Sequence, residues 1–222
     1  MSGPTFRKSH NIDTQRLIIR SAVPEDAQAI AALRGDPNNN PFRGPDSDDP
    51  EVYLRRMVNW LKASEEGRYA FTVILLRPLP NSSSPAEHEK GEGELIGFGG
   101  FNDFRWIDSP DGQGDKVLEV DVGAQIEHKH WRKGYGREAF IGMTDYAFTE
   151  LSAQRVSCDT GVQNEPWREL MKTVGLGEKE QAHVNPEGHP GAGEKSWLWQ
   201  FNREDWASAK GWRDNCASRV EP

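Results

Sequence analysis

Residues 127–140, EHKHWRKGYGREAF, hold the densest chemistry in the chain. Gly134 and Gly136 stand one residue apart, flanked by Arg132, Lys133 and Arg137, between an apolar strand-like run and a helix-like run. A glycine-rich turn that opens a helix offers backbone N–H groups at the positive end of the helix dipole. Glycine also lets the backbone come close to a ligand and adopt conformations that other residues resist. The occupant this predicts is anionic, a phosphate or a pyrophosphate. The plain alternative is an ordinary strand-to-helix connection with solvated basic residues. The whole chain carries a formal charge of −8, which argues against a general nucleic-acid or anionic-membrane binder and makes a local basic cluster more informative.

Other residues invite chemistry less strongly. His128 and His130 alternate along the chain, but without a third ligand at useful spacing they read as polar residues beside the anion site, and no metal is implied. Glu119 and Asp121 share one face of a strand by period-two alternation; as strand carboxylates they are either functional or merely solvated. Asn164 reads as a helix N-cap. The two cysteines, Cys158 and Cys216, are too few for a disulfide scaffold. The start, MSGPTFRKSHNI, has no apolar core of a signal peptide, and no run approaches about 18 apolar residues. A soluble, cytoplasmic protein is the expectation.

The elements that must position these residues are read from periodicity. TQRLIIRSA (14–22) predicts a short strand, and PEDAQAIAALR (24–34) has helix-start chemistry, with Pro24 and two acids in the first turn. EVYLRRMVNWLKASEEG (51–67) predicts a second helix, with Tyr53, Leu54, Met57, Val58 and Leu61 on one stripe; GDPNNNPFRGPDSDDP (35–50) between them is a loop. YAFTVILL (69–76), ELIGFGGFNDF (94–104) and KVLEVDVGAQIE (116–127) predict three strands. Residues 77–93 are a flexible excursion and 108–115 a polar turn. A helix (137–151), a strand (155–161), a glycine-ended helix (164–177), a loop (183–195) and a last strand, SWLWQFNREDW (196–206), complete the order. Trp197, Trp199 and Phe201 share one face of that strand and read as core. The order β-α-α-β-β-β-α-β-α-β predicts a mixed α+β arrangement around one sheet. Residues 1–12 are expected to be a flexible N-terminus, 13–206 one domain and 207–222 a C-terminal appendage. With 22 glycines, 14 prolines and 35% hydrophobic residues, part of the chain is expected to be exposed loop.

GYGREA also satisfies the dinucleotide pattern G-x-G-x-x-G/A, with Asp159 on the next strand. That Rossmann-type alternative requires a mostly parallel sheet, whereas here the motif follows four strands, with about three left to come. More specifically, the region resembles the acetyl-CoA site of GCN5-related N-acetyltransferases (GNAT), in the branch resembling ribosomal-protein alanine N-acetyltransferases. The pattern there, G-x-x-[IL]-x-x-x-x-W-x-[KR]-G-x-[GA]-x-E-A, is met by Gly123, Ile126, Trp131, Lys133, Gly134, Tyr135, Gly136, Glu138 and Ala139 as they stand. The resemblance covers about residues 14–206.

The resemblance implies a GNAT-like fold: a central, mostly antiparallel twisted sheet of six to seven strands, splayed at the CoA site and flanked by about four helices. It implies acetyl-CoA as donor and CoA as product. The pyrophosphate would rest on the amides of residues 132–137, and the pantetheine arm would lie between strands 116–127 and 155–161. Ile126 and His128 would pair with that arm, and Trp131, Arg132, Lys133, Gly134, Tyr135, Gly136, Arg137 and Asn164 complete the expected cofactor contacts. The general base is expected at Asp121, with Glu119 as the alternative. Trp167 stands where the family usually carries a hydroxyl residue that protonates the departing thiolate. An indole N–H is a poor proton donor, so a non-catalytic acyl-CoA binder stays open beside the enzyme. The acceptor, a small-molecule amine or a peptide N-terminus, is expected beneath the loop 35–50, against Asn39, Phe42 and Arg43. An acidic rim of Asp46, Asp48 and Asp49 there would suit a cation. Sheet-edge pairing is compatible with a homodimer.

Overall fold

The structure is a computed structural model that describes residues 6–42, 46–78, 93–109, 112, 114, 116–187 and 191–217, the last seven by backbone alone. Arg43 and nearly all of segment 77–93 lie outside the described residues.

Among the described residues, eight strands form one sheet in the order β1-β2-β3-β4-β5-β6-β8-β7. They are β1 (Asn11–Asp13), β2 (Leu17–Ser21), β3 (Ala70–Leu76), β4 (Glu94–Asp108), β5 (Lys116–Ile126), β6 (Arg155–Gly161), β7 (Gln181–Val184) and β8 (Lys195–Asn202). Every pairing is antiparallel except β5 with β6. One parallel pair cannot make a doubly wound sheet, so the Rossmann-type alternative falls. The sheet has one or two strands more than the sequence suggests, because β1 and β7 are three and four residues long, too short for a period of two to mark them.

Helices α1 (Ala27–Gly35) and α2 (Pro50–Glu65) cover one face, where Ile30, Ala31, Tyr53 and Met57 meet Val73 and Leu75. Asp49 caps α2 by accepting from the Glu51 N–H, and Pro50 occupies the first turn, where it forfeits no bond. The other face carries the larger core. Helix α3 (Tyr135–Thr149) lays Ala139, Phe140, Met143 and Ala147 on Leu118, Val120, Val122 and Val156. Helix α4 (Glu165–Thr173) packs beside α3, with Trp167 edge-on to Phe140 at 5.7 Å.

The last expected strand, 196–206, ends in helix over its final four residues. β8 stops at Asn202, and helix α5 (Arg203–Ala217) begins there. The Asn202 side chain accepts from the Asp205 N–H while Asp205 accepts from the Asn202 N–H, a reciprocal capping box that ends the strand. Of the expected aromatic stripe, Trp199 and Phe201 are fully buried in the core and Trp197 is partly buried against it; Trp206, from the helix, joins them. Residues 6–12, expected to be flexible, pack instead: Phe6 lies against Phe104 at 5.3 Å, and His10 and Ile12 are buried.

Candidate active site

The register of β5 sets the site. β5 pairs with β4 along its whole length, to Ile126 opposite Gly97. Its pairing with β6 covers three positions only, Glu119 with Arg155, Val120 with Val156 and Asp121 with Ser157. β6 then follows β8 to Gly161. From residue 122 to 126 one edge of β5 therefore has no strand partner among the described residues, and its backbone groups face a wedge between two strands. A ligand carrying amides can add to such an edge as a strand would.

The glycine turn closes the wide end of that wedge. A single 3-10 turn (His128–His130) leads into it, and the Trp131 indole N–H donates to the Ile126 carbonyl at 2.6 Å, folding the turn back on the strand. Arg132 and Gly134 take left-handed backbone conformations, φ 61° and 80°. Gly134 ends the loop as the residue before α3 and supplies no side-chain cap. The N–H groups of residues 135–137 thus have no intrahelical acceptor, and the helix dipole adds positive potential there. A β-carbon at Gly136 would meet nothing nearer than Leu170 at 3.5 Å and Ile126 at 3.7 Å. The protein itself therefore tolerates a side chain at that position, and glycine keeps the volume open for a ligand. Arg132, Lys133 and Arg137 are exposed around it. The residues present fit a pyrophosphate.

The turn is held from behind. The Arg16 guanidinium pairs with Glu138 at 2.6 Å, donates to the Lys133 carbonyl at 3.0 Å and stacks over Tyr135 at 4.6 Å. Against burial that would raise it, hydrogen bonds from Thr14 and Arg16 hold the Glu138 carboxyl below its ordinary range. Glu138 is thus engaged away from the anion site.

At the apex, where the strands part, Glu119 and Asp121 point to the α1/α2 side of the sheet. Their environments differ. Glu119 is 1% exposed and is bound by Arg155 and Gln200, with Arg105 at 3.3 Å. Asp121 is 6% exposed and held by neutral donors, Asn102 Nδ2 at 2.7 Å and Ser157 Oγ at 3.1 Å, with Arg105 farther away at 3.8 Å. Burial raises the Asp121 carboxyl to about 6, against the Asn102 hydrogen bond. The charge of Asp159 adds to the rise, while Arg105 and Ser157 oppose it. A carboxylate with such a value exchanges protons near neutral pH. Asp121 can act as a base there; Glu119 is locked in an ion pair.

A family profile described as an acetyltransferase (GNAT) domain matches residues 16–177. The chain belongs to the GNAT acetyltransferase family. It is an N-acetyltransferase of the kind that uses acetyl-CoA as its donor. An uncharacterised N-acetyltransferase, p20 of Bacillus licheniformis, is 26% identical over 164 residues, 72% of this chain and 79% of the relative. The solved structure of Mycobacterium smegmatis RimJ in complex with CoA-disulfide shares the fold at a TM-score of 0.66 and 15% identity, covering 98% of both chains. The ribosomal-protein-S5-alanine acetyltransferase of Vibrio fischeri does so at 0.62 and 18%, covering 89% of this chain and 98% of that one.

Within this GNAT domain the structure brings the turn residues 131–137, Ile126 and Asp121 around one wedge. It gives other expected site residues different work. Asn39 is 3% exposed; its Nδ2 donates to the Leu33 carbonyl, and its Oδ1 accepts the His128 N–H at 2.6 Å and lies 3.0 Å from His128 Nδ1. The Asn39 carbonyl also accepts from Gln125. Asn39 therefore fastens the α1–α2 loop to β5, and the His128 N–H is already engaged. Asn164 caps α4 through the Trp167 N–H and donates to Thr160 Oγ1 at 2.8 Å. Phe42 is half exposed at the loop tip. Of the acidic rim, Asp46 pairs with Arg34 and Arg56, and Asp49 is a helix cap.

The Trp167 indole N–H is buried without a hydrogen-bond partner of normal geometry, near enough to Cys158 to temper the rise that burial imposes on that thiol. The sequence reading missed Arg105, Asn102, Arg155, Ser157 and Arg16. Their signal is cross-strand register, such as Asp121 opposite both Asp103 and Ser157, which no local pattern carries.

Proposed function

We propose that this GNAT enzyme transfers the acetyl group of acetyl-CoA to a primary amine by direct attack in a ternary complex, with Asp121 as general base. The observation that carries the reading is the parting of β5 and β6 immediately after the Asp121–Ser157 pair, with the amide-lined turn at the other end of the same wedge. That geometry suits an elongated donor with an anionic end at residues 132–137 and its acyl carbon near Asp121.

Asp121 takes the proton of the incoming ammonium, directly or through one water, so that an N–H bond breaks as a carboxyl O–H bond forms. The free amine then forms a C–N bond to the acyl carbon as the C–S bond breaks; the sulfur leaves with the electron pair, and the second proton on the nitrogen passes to water or to the departing thiolate, which leaves the neutral amide. In this reading a backbone N–H on the open edge of β5 stabilises the negative charge developing on the carbonyl oxygen. Trp167 serves α4 packing, and the moderate acidity of a thiol lets it depart as thiolate. The kind of acceptor, small-molecule amine or peptide N-terminus, is chosen on the α1/α2 side, beneath the loop that Asn39 anchors.

Thiol release with an amine panel tests this. Asp121→Asn should lower turnover by about 10²–10⁴-fold with acetyl-CoA affinity unchanged, and should abolish the acid limb of the pH profile. Unchanged turnover across pH would remove Asp121 from the mechanism.

A further inference from the structure

The side chain that sits over the two buried carboxylates is Arg105, from β4. Its Nη2 lies 3.1 Å from Ser157 Oγ, 3.3 Å from Glu119 Oε1 and 3.8 Å from Asp121 Oδ2, and its Nε lies 3.2 Å from Asp103 Oδ2. The arginine itself is 46% exposed. One half-solvated cation thus covers two acids that are otherwise almost inaccessible. Glu119 would keep Arg155 and Gln200 if Arg105 moved away. Asp121 would keep Asn102 and Ser157, which are neutral. The two carboxylates therefore depend on Arg105 unequally.

We propose that Arg105 is a positioning and specificity-determining residue: its guanidinium holds the place of the acceptor's ammonium group beside Asp121, and an acceptor reaches that carboxylate by displacing it. The inference rests on the reading of Asp121 as the acetyl-transfer base. With Arg105 turned outward, Asp103 from β4 and Glu119 and Asp121 from β5 have Arg155 as the nearby cation among the described residues, while Asn102, Ser157 and Gln200 are neutral; Asp159 from β6 lies on the same face. Such a site repays the loss of a guanidinium only when another cation replaces it. The substrate class is therefore an amine that arrives protonated. A neutral aromatic amine leaves the carboxylates uncompensated and is discriminated against. The cationic preference is assigned to the sheet surface; of the acidic loop rim, Asp46 and Asp49 are engaged and Asp48 is exposed.

The test needs no known acceptor. Protein carrying carbon-13 at aspartate carboxyls is titrated by NMR as wild type, Arg105→Gln and Arg105→Lys, with Asp121→Asn assigning the resonance. Removing a cation about 4 Å away should raise the Asp121 midpoint by roughly one pH unit, and lysine should restore much of it. Calorimetry with putrescine as the cationic probe should show binding to Arg105→Gln at least fivefold tighter than to wild type, with Arg105→Lys returning toward wild type. A midpoint that stays put or falls in Arg105→Gln, or putrescine binding no tighter than in wild type, would overturn the proposal. Should Arg105→Gln fail to fold, Arg105→Lys alone decides, because its shorter reach must move the midpoint upward by part of a unit. If these results hold while no amine elicits thiol release, the acetyl-transfer reading fails and the Arg105–Asp121 coupling stands.

Discussion

At the scale of single residues, the site contains two carboxylates made unlike by their neighbours. Glu119 meets two arginines, whereas Asp121 meets an amide and a hydroxyl at hydrogen-bond distance. The difference has a stability signature with a definite sign. Well below pH 3.8 the Asp121 carboxyl is neutral in both folded and unfolded chains. Between pH 4 and 6 the unfolded chain releases this proton first, because burial raises the folded value to about 6. Asp121 thus makes the fold less stable as pH rises through that window, and Asp121→Asn should be about 1–2 kcal/mol more stable than wild type at pH 8, with the gain vanishing toward pH 4. Glu119→Gln should act oppositely and lose about 2 kcal/mol or more, since it strips a buried partner from Arg155. Urea titrations at the two pH values check both signs. The sequence places both acids on one face of a strand and leaves them equivalent. What separates them is the residue opposite each on β6, 36 positions farther along the chain.

At the scale of elements, the glycine turn was legible because its chemistry is local: a strand, two glycines, three basic residues and a helix within 14 positions. The mixed α+β order was legible for the same reason, each long element showing its own period. Elements set by pairing or capping were not. β1 and β7 are three and four residues long and exist through the strands they border. The switch from β8 to α5 depends on the reciprocal Asn202–Asp205 bonds inside what reads as one apolar strand. The turn also has a support that spacing alone does not reveal, the Trp131 indole N–H on the Ile126 carbonyl. Trp131→Phe keeps the ring and removes that bond. It should weaken acetyl-CoA binding by about tenfold, the effect of roughly 1.4 kcal/mol from one lost hydrogen bond, with little change in melting temperature. An equal loss of melting temperature and affinity would assign Trp131 to packing instead.

At the scale of the whole molecule, the N-terminal segment closes the fold through a buried histidine. His10 offers its N–H to Ser21 Oγ, and its ring lies 3.1 Å from the Tyr146 hydroxyl and 2.9 Å from Ser64 Oγ, joining β2, α3 and α2. Burial, helped by the charge of Arg7, lowers the ring to about 4. A depressed histidine contributes stability above pH 6.5 and loses it as pH falls toward 4. Wild type should therefore lose about 2 kcal/mol between pH 7 and 4.5 through this group, and His10→Gln should lose correspondingly less, as followed by urea unfolding at both pH values. The same closed scaffold carries one wedge, and its donor is the point on which the functional reading depends. Isothermal titration of the protein with acetyl-CoA, CoA and NAD(H), repeated on Gly134→Asp, addresses it most directly. The mutation sets a negative charge and a strained backbone where the turn offers its amides. Micromolar binding of acetyl-CoA and CoA, no binding of NAD(H), and loss of both CoA species in Gly134→Asp are expected. Binding of NAD(H), or acetyl-CoA affinity indifferent to Gly134→Asp, would contradict the placement of the acetyl donor on this turn.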